Sequence, residues 1–480
     1  MKKRLLSLLT VLVLAALVVF GASLNLPMKE KKAEEESKET EIKYDKESIY
    51  LWYSDDALTN YISAAAVAYN EEHGTRIVPV LQPAADYLEN INVAMYESMQ
   101  PDMYVVTHDM LGEAYLAGIA APISMDRDGF LVSFLEQAVN AVSYEDHLLG
   151  YPLNFETTVL LYNKTYLAKM AEAAMEADTE ISVEVENLIP ATIEDIRSIA
   201  DSYDAPENVE GFFSWDVTDI FYNYFFIGET IDVGGPGGWD TTKIDIYNER
   251  AITAMEAYQE LNQFFSIDTD ETDYSQIISD FIAGKMVYTI ATSDVIACLE
   301  QAKADGEFDF DYGVALVPDM SEEIDTRSMS VTNAVVISPY ESSEKAAIAN
   351  DFAYYLTYNC ADMLYSKAGK VSPSRTVHYD SDAFDVFALE YEYSTPIPKM
   401  LETSTFWVDL ERTFLEVWNG ADANSELKAL AEQILYQVTG EETTLEAISS
   451  APEEEEETEY LDEEALMKEA KESIQDNSEE

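Results

Sequence analysis

From residue 48 onward, short apolar runs alternate with longer stretches whose apolar positions recur three and four apart. SIYLWYS (48–54) is almost continuously aliphatic and aromatic and predicts a strand, whereas LTNYISAAAVAYNEEHG (58–74) has helical spacing and stops at Gly74. TRIVPVL (75–81) predicts a second strand, Asp86 to about Met99 a second helix, and PDMYVVTHD (101–109) a third strand followed by a short helix ending near Gly118. Strand, helix, strand, helix, strand at this spacing implies parallel pairing in a layered α/β domain. In open sheets of that kind, ligands bind beyond the carboxyl ends of the strands. The residues just after each strand therefore carry the chemical interest.

Those ends are acidic. The first strand runs through Tyr53 into Asp55 and Asp56, and the third into His108 and Asp109. Further on, GYPLNFETTVLLYNK (150–164) places Glu156 inside an apolar stretch. The run Thr157 to Tyr162 reads as a buried strand, where an unpaired carboxylate is costly. Glu156 thus either has a partner or faces a cleft. An acid at a strand end also serves as a helix N-cap, so Asp55, Asp56 or Asp109 alone defines no site. Three acidic strand ends meeting at one crevice weaken that simpler reading.

Composition narrows the partners. The chain has 480 residues, 47% of them hydrophobic, enough for two or three globular domains. Against 93 Asp and Glu stand 28 Lys and Arg, a formal charge of -65. Such a field repels nucleic acid and anionic lipid and leaves a neutral or cationic small ligand as the better partner. At the start, Lys2, Lys3 and Arg4 precede an apolar run from Leu5 to Phe20 and the small residues Gly21, Ala22 and Ser23. This is the pattern of an export signal, with a length that also suits an uncleaved anchor, and residues 1–26 are assigned to it. No cysteine follows the small residues to take a lipid. Residues 27–46 read as a charged, disordered spacer and 451–480 as an acidic, disordered tail. Cys298 and Cys360 are the two cysteines, expected to be buried free thiols.

Other patterns carry little chemistry. GGPGGWD (234–240) lacks the Lys and Ser/Thr of a phosphate loop and predicts a surface turn, with Trp239 beside it. DTDETD (268–273) lacks the glycine of a calcium loop and predicts an acidic connection. The four histidines are scattered, no G-x-S-x-G is present, and neither a cofactor nor a metal is expected.

Taken in order, LWYSDD, PDMYVVTHDMLGEAYLAGIAAPIS, GYPLNFETTVLLYNK, DFIAGKMVYTIATSD (280–294), DYGVALVP (311–318), TNAVVISPYESSEKAAIANDFAYYLT and STFWVDLERTF span nearly the whole body of the chain. Together they resemble the extracellular solute-binding proteins of ABC importers, in particular the carbohydrate-binding branch that includes maltodextrin-binding proteins. The resemblance implies a two-lobed, type II periplasmic-binding-protein-like α/β fold, with a ligand cleft between lobes and a hinge crossed several times. Lobe one would comprise 47–154 with 328–370, and lobe two 159–318 with 376–450. Glu156 would lie at the first hinge crossing on the cleft floor. Asp56, Asp109 and Glu156 would accept hydrogen bonds from sugar hydroxyls, Trp407 would stack on a sugar face, and Tyr222 would face the cleft from lobe two. Tyr53 and Asp55 stand beside them as further contacts. The implied role is capture of a sugar or oligosaccharide by a monomer that closes its lobes and presents the cargo to the transmembrane permease subunits, without catalysis.

The chain departs from the maltodextrin pattern at four places. Ala57 and Met110 stand where basic residues follow the first two acids, and Val106 and Asp294 where two tryptophans would stack. The pocket is then expected to be acidic and without compensating cations. Asp294 either contacts ligand or caps the next helix. A binding protein for a cationic solute and an extracellular glycosidase are the rival readings.

Overall fold

The computed structural model describes residues 47–95, 99–177, 184–265, 267–269, 272–339, 342–403 and 405–449. The leader, the charged spacer and the acidic tail expected from the sequence lie outside these residues. Strands β1 (Ile49–Tyr53), β2 (Ile77–Leu81) and β3 (Met103–Thr107) alternate with helices Thr59–His73 and Tyr87–Ala94, as the apolar spacing predicts. β1 pairs in parallel with both β2 and β3. The first helix ends where Gly74 takes a left-handed φ of 66°, which costs a glycine little. The second is shorter than its sequence pattern and stops at Ala94.

The chain continues through β4 (Tyr151–Thr157), β5 (Val159–Asn163), β6 (Gly211–Ser214), β7 (Met286–Ala291), β8 (Tyr312–Ala315), β9 (Met329–Ile337) and β10 (Thr395–Pro396). One sheet has the order β10-β9-β3-β1-β2, with β4 also pairing to β9. The second has the order β8-β5-β7-β6. The run 157–162 is therefore not one strand. β4 ends in the first sheet at Thr157, Thr158 breaks the ladder, and β5 starts the second sheet at Val159. Apolar patterning shows burial and is blind to which sheet a buried residue joins.

The chain returns from the second sheet to the first between β8 and β9. Tyr391 of helix Ala383–Tyr393 stacks on Phe155 of β4 with centroids 4.0 Å apart, and Thr395 and Pro396 pair with Met329 and Ser330 of β9. Helix Ala383–Tyr393 thereby touches the first sheet and, through Glu390, which accepts from the Val317 amide, the chain just beyond β8 of the second. The second core is strongly aromatic. Trp215 and Trp418, 5.6 Å apart edge to face, pack with Phe226, Tyr258 and Phe414, of which helix Glu249–Phe265 supplies Tyr258 and helix Phe406–Trp418 supplies Phe414 and Trp418. Each fully buried ring of this kind contributes about 2 kcal/mol or more of transfer free energy.

GGPGGWD forms a turn between the short paired strands Asp232–Val233 and Ile244–Asp245. Gly234 and Gly238 hold φ of 90° and 71° there, and Trp239 packs against Tyr144 at 6.3 Å. Both cysteines are free, but Cys298 is exposed, against the expectation that both would be buried. Among the described residues no helix is long and apolar enough to cross a membrane, and no group of three or more His, Cys, Asp or Glu could hold a metal ion.

Candidate ligand cleft

Glu156 sits two residues before the break at Thr158, opposite Val331 of β9, where the chain leaves one sheet for the other. Its partners arrive from both sides of that crossing. From the first side comes Lys370, just after helix Leu364–Ala368 and its left-handed Gly369 cap. The next residue is pinned to β4, because the Phe155 amide donates to the Val371 carbonyl at 3.1 Å. Lys370 Nζ lies 3.7 Å from Glu156 Oε1 and 3.4 Å from Asp55 Oδ2. From the second sheet comes Ser293, just beyond β7, whose hydroxyl donates to Glu156 Oε2 at 2.8 Å. One carboxylate therefore ties together elements of both sheets.

Asp294 follows Ser293 and makes no cap hydrogen bond to the helix it precedes. Its Oδ1 accepts instead from Tyr274 Oη at 3.0 Å and from the Thr292 hydroxyl. The Thr292 amide donates to Tyr274 Oη at 3.2 Å. Tyr222 stacks on Tyr274, with centroids 4.6 Å apart and planes 20° from parallel. Asp55, Glu156, Asp294 and Tyr222 are thereby brought into one linked group of carboxylates, hydroxyls and aromatic faces.

Electrostatics follow burial and neighbours. Burial pushes the Glu156 carboxyl up and Asp294 adds to this, while Lys370 and the Ser293 hydroxyl hold it back. For Lys370, burial opposes the ammonium, but Glu156 and Asp55 outweigh it and the net shift is upward. The lysine stays charged. Burial also raises the Tyr274 and Tyr222 phenols, with Asp294 contributing in the same direction. Both remain neutral donors at any physiological pH.

The other sequence candidates make different contacts. Asp55 is also a local cap, accepting from the Ala57 amide at 3.0 Å, and Asp56 is exposed on the first turn of the following 3-10 helix. Tyr53 is buried, its hydroxyl donating to Thr59 Oγ1 at 3.2 Å. Trp407 is half-buried and meets Tyr224 edge to face at 5.6 Å. Asp109 follows β3, and its Oδ1 is buried with no hydrogen-bond partner among the described residues. Burial raises its carboxyl, against the Thr107 hydroxyl and nearby amides. A buried acceptor left unpaired is costly. Beside it, His108 is a structural residue. Its Nδ1 accepts from the Thr332 amide at 3.0 Å, its Nε2 donates to the Ile397 carbonyl at 3.1 Å, and burial lowers it to about 3.

Sequence reasoning missed Lys370, Ser293, Thr292 and Tyr274. The rule about strand ends reaches Thr292 and Ser293, which follow β7 directly. Nothing local singles out Lys370 in YSKAGKVS, and its presence corrects the expectation of a pocket without compensating cations.

The chain is similar to known solute-binding proteins. The family described as bacterial extracellular solute-binding protein matches residues 64–386. A galactooligosaccharide-binding protein of Bacillus subtilis is 20% identical over 408 residues, 81% of this chain and 89% of that protein. A maltooligosaccharide ABC transporter solute-binding lipoprotein of Streptococcus pneumoniae is 21% identical over 406 residues, again 81% and 89%. Among solved structures, an extracellular solute-binding protein from Staphylococcus aureus in complex with maltose superposes with a TM-score of 0.67 at 21% identity, covering 82% of this chain and 99% of that one. A cyclo/maltodextrin-binding protein complexed with maltotetraose gives 0.67 at 17%, covering 84% and 100%. At these identities the structural likeness speaks for the two-lobed fold.

Proposed function

Because the chain belongs to the bacterial extracellular solute-binding protein family, we propose that it captures a sugar or oligosaccharide by lobe closure and delivers it to the transmembrane permease subunits of an ABC importer. The observation that carries this reading is Glu156, which accepts from Ser293, just beyond β7 of the second sheet, and faces Lys370, next to β4 of the first. A ligand that replaces or adds to these contacts touches both lobes at once. It favours the closed state by as much as it prefers that state over the open one. The mixture of acceptors (Asp55, Glu156, Asp294), hydroxyls (Thr292, Ser293) and aromatic faces (Tyr222, Tyr274, Trp407) suits sugar hydroxyls and ring faces. Asp109, with its orphan oxygen, adds an acceptor from the end of β3.

The relatives named above bind galactooligosaccharides and maltooligosaccharides by their descriptions, and a short oligosaccharide is the cargo we assign here. The chain works as a monomer, exported through residues 1–26, with cleavage or retention of that segment deciding whether it is released or tethered. Binding without chemistry is its activity. Calorimetric titration with maltotriose, galactooligosaccharides and an amino-acid control, with chromatography of the recovered sugar, tests this. Saturable binding of an intact oligosaccharide supports it, whereas cleaved sugar or silence toward every sugar overturns it.

A further inference from the structure

Two carboxylates, those of Asp55 and Glu156, flank one lysine at the cleft, and a third, Asp294, acts on it by its charge. The ammonium of Lys370 lies within 4 Å of the first two and is raised further by the charge of the third. Its place is fixed by backbone, since the residue before it closes a helix with a left-handed glycine and the residue after it bonds to β4. Without that ammonium, the same carboxylates would form a ready receptor for a cation, the more so on a chain of formal charge -65.

We infer that Lys370 sets the class of cargo: it is a tethered cation that fills the position a cationic ligand would take, so that the cleft accepts neutral polyhydroxyl ligands and rejects amines. The reason is the bonding each ligand offers. A sugar hydroxyl both donates and accepts, and can satisfy the lysine and a carboxylate together. An ammonium only donates, and would meet Lys370 head on while competing for Asp55 and Glu156. The inference rests on the proposed sugar-binding cleft and deepens it by naming the residue that separates a sugar receptor from a polyamine receptor of otherwise identical frame.

The test uses the whole protein, wild type and Lys370→Met, titrated with putrescine at near-physiological salt, with maltotriose titrated separately. Lys370→Met is expected to bind putrescine saturably and at least ten-fold more tightly than wild type. Lys370→Arg, which keeps the charge, is expected to stay silent. The double variant Lys370→Met/Glu156→Gln is expected to lose the gained binding, which separates the site from the diffuse acidic surface. A folded Lys370→Met that binds putrescine no better than wild type overturns the inference, as does a wild type that already binds it. Lys370→Gln gives the same readout should the methionine variant fail to fold. Gain of putrescine binding in a protein silent to every sugar leaves the role of Lys370 standing and removes the sugar reading instead.

Discussion

Glu156 and Glu390 both lie where the chain passes between the two sheets, yet their surroundings make them different groups. Glu156 keeps about a fifth of its side chain exposed (21%) and has Lys370 and Ser293 beside it. Glu390, on helix Ala383–Tyr393, is 4% exposed. Its Oε2 accepts from the Val317 amide at 3.0 Å, and its Oε1 from the Ser328 hydroxyl. Ser328 is in turn hydrogen-bonded to Thr157 at 3.1 Å. Val317 and Ser328 bracket the passage from β8 to β9, and Thr157 ends β4, so one carboxyl joins both crossings. With hydroxyl and amide donors but no cation among its described partners, burial dominates and Asp319 adds to it, and Glu390 is pushed up to about 7. A counter-cation holds the first glutamate's carboxyl back against burial, and its lack leaves the second to titrate near neutrality.

The sharpest way to break that comparison is Glu390→Gln. Because the folded state raises this carboxyl above its unfolded value, its contribution to stability is full below the unfolded value near 4.5 and is lost as pH rises through about 7. The loss is on the order of 3 kcal/mol for a shift of this size. The glutamine variant, which resembles the protonated form, is expected to melt with a flatter pH dependence than wild type between pH 5 and 8 and to compare best with it at pH 8. Parallel melting curves for the two proteins across that range would show that Glu390 is no different from a surface acid.

The cleft side is probed by Glu156→Gln. The fold is retained, and binding of the best oligosaccharide weakens by roughly 2 kcal/mol, or about thirty-fold in Kd, the usual worth of a hydrogen bond to a charged group. Equal affinity, read by calorimetry, would place the ligand elsewhere. Trp407→Ala follows at about ten-fold, from loss of a stacking face. Because Trp407 also packs on Tyr224, part of its effect appears in the melting temperature, and an unchanged Kd in a folded variant removes it from the site.

Much of the first sheet is legible in the sequence, because β1, β2 and β3 and the helices between them are local patterns of apolar spacing. Glu156 is legible too, as an acid where an acid does not belong. Lys370 is not, because its meaning comes from a backbone bond between Val371 and Phe155, residues far apart in the chain. Nor is Glu390 in FALEYEY, where it reads as one more acid on a helix and only the fold shows that it faces the hinge. Likewise the break at Thr158 leaves no mark on composition, since both flanking strands are buried. What the sequence conceals is the set of long-range contacts, and both charged junctions of this protein consist of those.

The smallest effect is also the one that tests the cause of the difference. If the counter-cation is what separates the two glutamates, Lys370→Met should move Glu156 toward the behaviour of Glu390. Its carboxyl, already raised by burial, loses the neighbour that holds it down. Stability contributed by Glu156 is present below its unfolded value and lost as pH rises through the folded one, and in the variant that loss extends to higher pH. The partial exposure of both side chains limits the added change to about 1 kcal/mol. Melting temperatures of wild type and Lys370→Met should therefore approach one another at pH 5 and separate toward pH 8. A separation that is constant with pH would mean that Lys370 stabilises the crossing by packing, and that burial alone distinguishes Glu390 from Glu156.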